Sequence, residues 1–335
     1  MKCVKVPLKQ LNDTRIKLME KGQMNMEYRI KASDEFGYIP INEDIDEYEI
    51  VDVELEPLKR VAHNFSELLE DELSSEEIEN LRTSFDTIGD IVILEIPENL
   101  QDKKQIIGDA ALKFTKRKAI YMKKSAIKGT TRIRDLEFLS GEDDSVTIHK
   151  EHGARLKLDV KEVYFSPRLA TERKRVMENV KDGEKILDMF CGIGPFPIVI
   201  ARNKNVDIIA VDINEEAIRY LNENIKLNKL KGNIETKCGD IREVSKSFNM
   251  KFDRIIMNLP GLAYTFLDIA VDLIEDGGII NYYEFSDSYE QGIKRLKDAC
   301  SNVEKQVEII NTRKVKSTSP GEWHVAIDGK VRTRK

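Results

Sequence analysis

Apolar positions in the first fifty residues recur at helical and then at alternating spacing. Leu11, Ile16, Leu18 and Met19 form a moderate stripe that predicts a helix over 8–21, while 38–41 and 48–53 read as strands. A charged connection over 54–60 follows, so a small first domain is expected over 1–54. The middle region opens with an acidic stretch over 66–81 that predicts a helix. Strand character returns at 91–97, 119–122, 145–150 and 155–160, with His152-Gly153 where a hairpin turn falls, and gives an α+β module over 60–160. From Gly183 the chain alternates strands (185–190, 207–211, 233–236, 252–257, 278–283) with helices (196–202, 215–228, 263–274, 289–299). Such alternation predicts a doubly wound α/β sheet over 161–335. Short apolar runs at 306–311 and 324–327 are expected to close its edge as a hairpin.

Of the 335 residues, 41% are hydrophobic and 34% charged, which excludes a collagen-like or wholly disordered chain. No apolar run approaches the roughly 20 residues that a bilayer demands, and the first residues lack a signal-peptide core. A soluble, cytoplasmic, monomeric protein without a membrane partner is therefore expected. Four scattered cysteines without a Cys-x-x-Cys pair offer neither a disulfide framework nor a zinc knuckle. His149-x-x-His152 falls on a strand and its turn with no cysteine beside it, so no metal site is expected. The net charge of −6 is unevenly spread. Residues 34–56 carry ten acidic and no basic groups; 116–134 carry eight basic and no acidic groups, including Lys116, Arg117, Lys118, Arg132 and Arg134. Arg168, Arg173, Lys174, Arg175, Arg313, Lys314 and Lys316 add to the basic side. This polarity suits a polyanionic partner, and ordinary solvated faces are the competing explanation.

The segment Ile186-Leu187-Asp188-Met189-Phe190-Cys191-Gly192-Ile193-Gly194-Pro195-Phe196 is an apolar strand that runs through a glycine turn into a helix opened by proline. Gly192 and Gly194 permit close backbone approach, and the helix start favours an anionic group. Asp212 closes the next strand, where this fold places a ribose-binding carboxylate. A dinucleotide fingerprint wants a third glycine where Pro197 stands, which disfavours a nicotinamide cofactor. Asp188 and Pro195 instead suit a nucleoside with a charged amino-acid tail; a tight turn without ligand is the alternative. Asp240, after Cys238-Gly239, could accept from an adenine amino group. Asn258-Leu259-Pro260 ends a further strand and, by itself, reads as a turn.

These segments, with Val211-Asp212-Ile213-Asn214, Asn224-Ile225-Lys226-Leu227-Asn228, Arg132-Ile133-Arg134-Asp135-Leu136-Glu137 and Val163-Tyr164-Phe165-Ser166-Pro167-Arg168-Leu169 followed by Glu172-Arg173, resemble the S-adenosylmethionine-dependent tRNA (guanine-37-N1)-methyltransferases of archaea and eukaryotes. The likeness extends over nearly the whole chain. It implies a class I, Rossmann-like methyltransferase sheet joined to an α+β RNA-binding module and a small N-terminal tRNA-recognition domain. It further implies methyl transfer from S-adenosylmethionine to N1 of guanosine 37 in tRNA. Glu172 takes the position of general base, Arg132 that of the group holding O6, and Asn258 that of an amide orienting the base or the methionine end. Residue type alone would make Glu172 a helix-surface carboxylate paired with Arg175 or Arg168. Tyr164, Asp188, Phe190, Gly192, Gly194, Asp212, Ile213, Asp240, Ile241 and Asn258 are the expected cofactor residues. Lys116, Arg117, Lys118, Arg134, Arg168 and Arg173 are the expected RNA contacts. Gly261-Leu262-Ala263-Tyr264 departs from the family, where many members carry a lysine and a histidine. That departure leaves open a relative acting on a wyosine precursor at position 37, and an idle tRNA-binding protein with the same fold is a further alternative.

Overall fold

The computed structural model describes residues 1–58, 62–124 and 135–334, so Arg132 and Arg134 lie outside the described residues. The chain forms two compact units, 1–67 and 68–335. In the first, strand β1 (Lys2–Pro7) leads into helix α1 (Leu11–Glu20), and β2 (Lys31–Ala32), β3 (Phe36–Pro40) and β4 (Glu49–Asp52) complete a sheet of order β2-β3-β1-β4. Val4, Val6, Leu18, Ile39 and Ile41 form its core. The pattern reading lacks β1, a six-residue strand whose alternation ends at Pro7.

The second unit begins on a correction. The stretch over 66–81 is not one helix: Ser74 takes extended dihedrals and caps a short helix, α2 (Ser75–Asn80). Its hydroxyl accepts from the Glu77 N–H, and the Glu77 carboxylate accepts from the Ser74 N–H at 2.8 Å. This reciprocal pair satisfies two donors that a continuous helix would have used internally. Strands β5 (Asp86–Ile88) and β6 (Ile91–Leu94), helix α3 (Lys104–Thr115), and strands β7 (Ala119–Lys123) and β8 (Leu136–Gly141) make a four-stranded sheet in sequence order with one helix. Helix α3 was not expected. Gly108 lowers its propensity but lets it pack closely on Leu139, whose Cβ would lie 2.7 Å from an added Cβ.

Strands β9 (Val146–Glu151) and β10 (Ala154–Asp159) pair as the expected hairpin, with φ of 46° at His152 and 80° at Gly153 in its turn. Helix α4 (Ala170–Asn179) then leads into β11 (Lys185–Asp188), α5 (Pro195–Asn203), β12 (Asp207–Asp212), α6 (Glu215–Leu227), β13 (Asn233–Cys238), α7 (Ile241–Val244), β14 (Phe252–Met257), α8 (Leu267–Leu273), β15 (Ile274–Ser286), α9 (Glu290–Ser301), β16 (Lys305–Ser319) and β17 (Glu322–Thr333). The sheet order is β13-β12-β11-β14-β15-β17-β16, with β17 antiparallel to both neighbours. The terminal hairpin is present, but its strands are two to three times longer than the apolar runs that signalled them.

Ile91, Tyr121, Leu156, Cys191, Ile198 and Leu221 share one core. The change near residue 160 is therefore a change of topology inside one unit. Asn224 of α6 and Asn228 directly after it fasten the hairpin: their amide oxygens accept from the Lys157 and Arg155 N–H groups, and Asn224 Nδ2 also donates to the Ile193 carbonyl in the glycine turn. One helix thus fixes both the hairpin and the turn.

Candidate active site

Chain direction reverses about β11: the chain runs from β11 outward to β12 and β13, then returns to β14 on the other side. In an open α/β sheet a crevice forms at such a switch point, beyond the carboxyl ends of the strands. A cavity of about 310 Å³ lies there, lined by Tyr164, Phe190, Gly192, Asp212, Ile213, Asp240, Ile241 and Asn258 among others. Its floor is the turn after β11. Gly192 has φ 53° and Gly194 φ 81°, both in the left-handed region. An added Cβ at Gly194 would meet Leu221 Cδ1 at 2.2 Å, whereas one at Gly192 would find nothing nearer than 3.9 Å. Gly194 is needed for the fold; Gly192 leaves room beside the backbone for a ligand. Pro197 occupies the first turn of α5, where its missing N–H costs nothing.

The polar groups around this floor are unequally satisfied. Asp212 holds the turn, accepting from Gly192 N–H at 2.7 Å and Asn214 N–H at 2.9 Å, and burial raises its pKa against those bonds. Each oxygen keeps a lone pair for a further donor. Asp240 caps α7 and pairs with the Arg242 guanidinium, which holds it below the usual carboxylate range. Asp188 is 1% exposed and is not among the residues that line the cavity; one oxygen receives a long bond from Phe190 N–H, and the other has no partner among the described residues. Burial pushes its carboxyl up to about 8. Asn258 Oδ1 is likewise buried and unpartnered. Two unfilled acceptors at adjacent strand ends, β11 and β14, fit a ligand with a cationic end, since leaving such atoms unpaired is unfavourable. Ile213, 46% exposed, and the edge-on pair Phe190–Phe266 give apolar walls.

Glu172 lies behind this crevice, not at the surface of its helix. It is 1% exposed, and its carboxylate accepts from Tyr283 Oη at 2.8 Å and from Arg175 Nη2 at 2.7 Å, with Arg313 Nε 3.5 Å away. Arg175 also binds Asp328, whose Oδ1 accepts from Asn281. Leu169 and Arg173 on the same turns line the cavity; Glu172 does not.

Arg173 needs correction as an RNA contact. Its guanidinium is 1% exposed and donates to both Glu151 oxygens at 2.5 and 2.6 Å, so it cannot meet a phosphate. Lys118 is paired with Asp144 and Arg168 with Asp86, while Lys116 and Arg117 are exposed. The two histidines turn to separate partners: His149 Nδ1 accepts from Gly89 N–H, and His152 Nε2 meets the Ala170 carbonyl.

The profile of the TRM5/TYW2 methyltransferase domain matches residues 147–310, that of the tRNA methyltransferase 5 N-terminal domain 3–49, and that of the TYW2 N-terminal domain 65–144. The tRNA (guanine(37)-N(1))-methyltransferase Trm5b of Pyrococcus abyssi is 43% identical over 333 residues, 98% of each chain. The chain belongs to the archaeal and eukaryotic tRNA (guanine-37-N1)-methyltransferase family.

A crystal structure of Trm5b from Pyrococcus abyssi aligns with a TM-score of 0.85 at 42% identity, covering 99% of both chains. A second kind of relative, the tRNA(Phe) (4-demethylwyosine(37)-C(7)) aminocarboxypropyltransferase of Methanocaldococcus jannaschii, is 35% identical over 73% of this chain and 97% of its own. The structure of TYW2 from that organism in complex with AdoMet aligns at 30% identity and TM-score 0.58, over 75% of this chain and all of that one. In this member of the tRNA (guanine-37-N1)-methyltransferase family, the crevice also uses Leu259, Leu262, Thr265, Phe266 and Arg242, none expected from the sequence. For Leu262, Thr265 and Phe266 the sequence signal was the apolar and aromatic segment directly after Asn258-Leu259-Pro260.

Asp212→Ala is expected to weaken S-adenosylmethionine binding about 10- to 150-fold, the worth of one charged-acceptor hydrogen bond of roughly 1.5–3 kcal/mol. Calorimetry on the folded variant measures it, and wild-type affinity would remove Asp212 from the ribose site.

Proposed function

We propose that this protein transfers a methyl group from S-adenosylmethionine to N1 of guanosine 37 in tRNA, in the cytoplasm. The observation that carries this reading is identity to Trm5b along the full chain, 98% of both proteins, whereas the aminocarboxypropyl-transferring relative covers 73% of it. The residues present fit such a cofactor: Asn258, with the buried Asp188 at the neighbouring strand end, would offer acceptors to its cationic end, Asp212 would accept from the ribose, and Ile213, Ile241, Phe190 and Asp240 would hold the adenine. The bound cofactor supplies a sulfonium-activated methyl group. Guanine N1 carries a proton at neutral pH, so the protein must remove it as the new bond forms. The family resemblance assigns this work to Glu172, which must leave its pairing with Tyr283 and Arg175 behind the crevice to reach that proton, and assigns to Arg132 the steadying of charge developing on O6. Asn258 orients the reacting partners through its amide. Among the described residues no helix is long and apolar enough to cross a membrane.

The first unit serves tRNA recognition. Its acidity over 34–56 means that it reads RNA by shape or through a local polar patch. The exposed end of α3 contributes electrostatically: replacing Lys116, Arg117 and Lys118 together by alanine should weaken tRNA binding at low salt and flatten its salt dependence, because fewer counterions are released. An unchanged slope would make this run a solvated face. Lys118 is expected to contribute least, since Asp144 already neutralises it. The function itself is tested with two transcripts: one with guanosine at 37 should accept labelled methyl, and one with adenosine there should accept none.

A further inference from the structure

The rim of the crevice after β14 carries an aromatic ring that the proposed chemistry leaves unused. Leu262, Thr265 and Phe266 line the cavity; Tyr264, between them in sequence but not itself a lining residue, is 42% exposed beside Leu262 at 46%. The segment is held from below by Ala263 and Leu267, at 0% and 3% exposure, so the ring is presented on a fixed base. One face of it is covered: the Arg295 guanidinium lies 4.3 Å from the ring centroid. Arg295 is in turn anchored, donating to Glu284 Oε2 at 2.9 Å, and that buried carboxylate also accepts from Tyr282 Oη at 2.6 Å. Gly292 of α9 allows this close approach, since an added Cβ there would meet Glu284 Oε1 at 2.6 Å.

A large aromatic ring, pinned by a cation on one face and solvent-exposed in the segment whose neighbours line a nucleotide-sized crevice, has the build of a base-stacking surface. We propose that Tyr264 is the platform on which a nucleobase flanking the target guanosine stacks when that guanosine enters the crevice. The inference rests on the tRNA reading above. Stacking holds the neighbouring nucleotide, and the strand that follows it, in the register that delivers N1. Arg295, its charge already met by Glu284, stiffens the ring.

The test uses the full chain, unmodified tRNA transcript and transcripts lacking the base at position 36 or at 38. Tyr264→Phe keeps the ring and should stay within about twofold of wild type. Tyr264→Ala and Tyr264→Leu should each lower kcat/KM for tRNA about 5- to 150-fold, the range of base–aromatic stacking, with S-adenosylmethionine affinity unchanged. On one of the two abasic transcripts the wild type should fall by the same factor, and Tyr264→Ala should lose nothing more. Wild-type kcat/KM in both ring-deleting variants, or losses that multiply on both abasic transcripts, would overturn the platform alone. A wild-type protein that leaves the intact transcript unmethylated would instead overturn the function beneath it.

Discussion

Replacing Glu172 by glutamine is expected to lower the single-turnover rate of methyl transfer about 10²–10⁴-fold, the range of positioned acid–base catalysis. The substitution preserves the size of a side chain packed at 1% exposure and retains an acceptor for Tyr283 and Arg175. Arg175 keeps its second partner, Asp328, so the buried cation is not stranded. What is lost is the ability to take the guanine proton. Raising the pH should therefore restore part of the rate, since solvent then deprotonates guanine without help. Cofactor affinity, tRNA affinity and the melting temperature must be measured beside the rate, because Glu172 also anchors α4 to β15 through Tyr283. A variant with wild-type rate at saturating tRNA would leave Glu172 as a partner of Arg175 only, and Asp188 would be the next base to test.

Asp188→Asn is expected to weaken S-adenosylmethionine binding about 150- to 4,000-fold at pH 8.5, the cost of roughly 3–5 kcal/mol for removing one partner of a buried charge pair. The free protein holds this carboxyl protonated up to about pH 8, because burial disfavours its charged form. A cationic ligand favours the ionised form, so binding releases a proton. Wild-type affinity should thus rise with pH, by at most about tenfold per unit, and level off above 8. In the asparagine variant this dependence should vanish. Calorimetry in buffers of different ionisation enthalpy reads the proton directly. A flat wild-type profile with no proton released would remove Asp188 from the cofactor site.

The parts of this protein that chain-local pattern determines were legible in its sequence. The glycine turn at Gly192 and Gly194 lies within six residues of the end of β11, Asp212 is the last residue of β12 and Asn258 directly follows β14, and the parallel sheet brings those strand ends together. Charge pairing was illegible for the converse reason. Arg173 finds Glu151 twenty-two positions away, Arg168 finds Asp86 at eighty-two, and Arg175 finds Asp328 at 153. A basic run therefore looks more available to RNA in the sequence than in the fold. The length of β16 was hidden as well: its register shifts between Ile309 and Asn311 and again between Lys314 and Lys316 interrupt the alternation that marks a strand. The helix expected over 66–81 failed on one local competitor, the reciprocal cap between Ser74 and Glu77.

The central claim concerns which atom is modified and with which group. Incubation with unmodified guanosine-37 transcript and S-adenosylmethionine labelled separately in the methyl group and in the methionine chain, followed by nuclease digestion and mass spectrometry of the nucleosides, decides it. The account predicts one methyl label per tRNA, in 1-methylguanosine at position 37, with no label from the methionine chain. Transfer of the chain label, a methyl group on another atom or nucleotide, or no transfer by a protein that binds both ligands would contradict it.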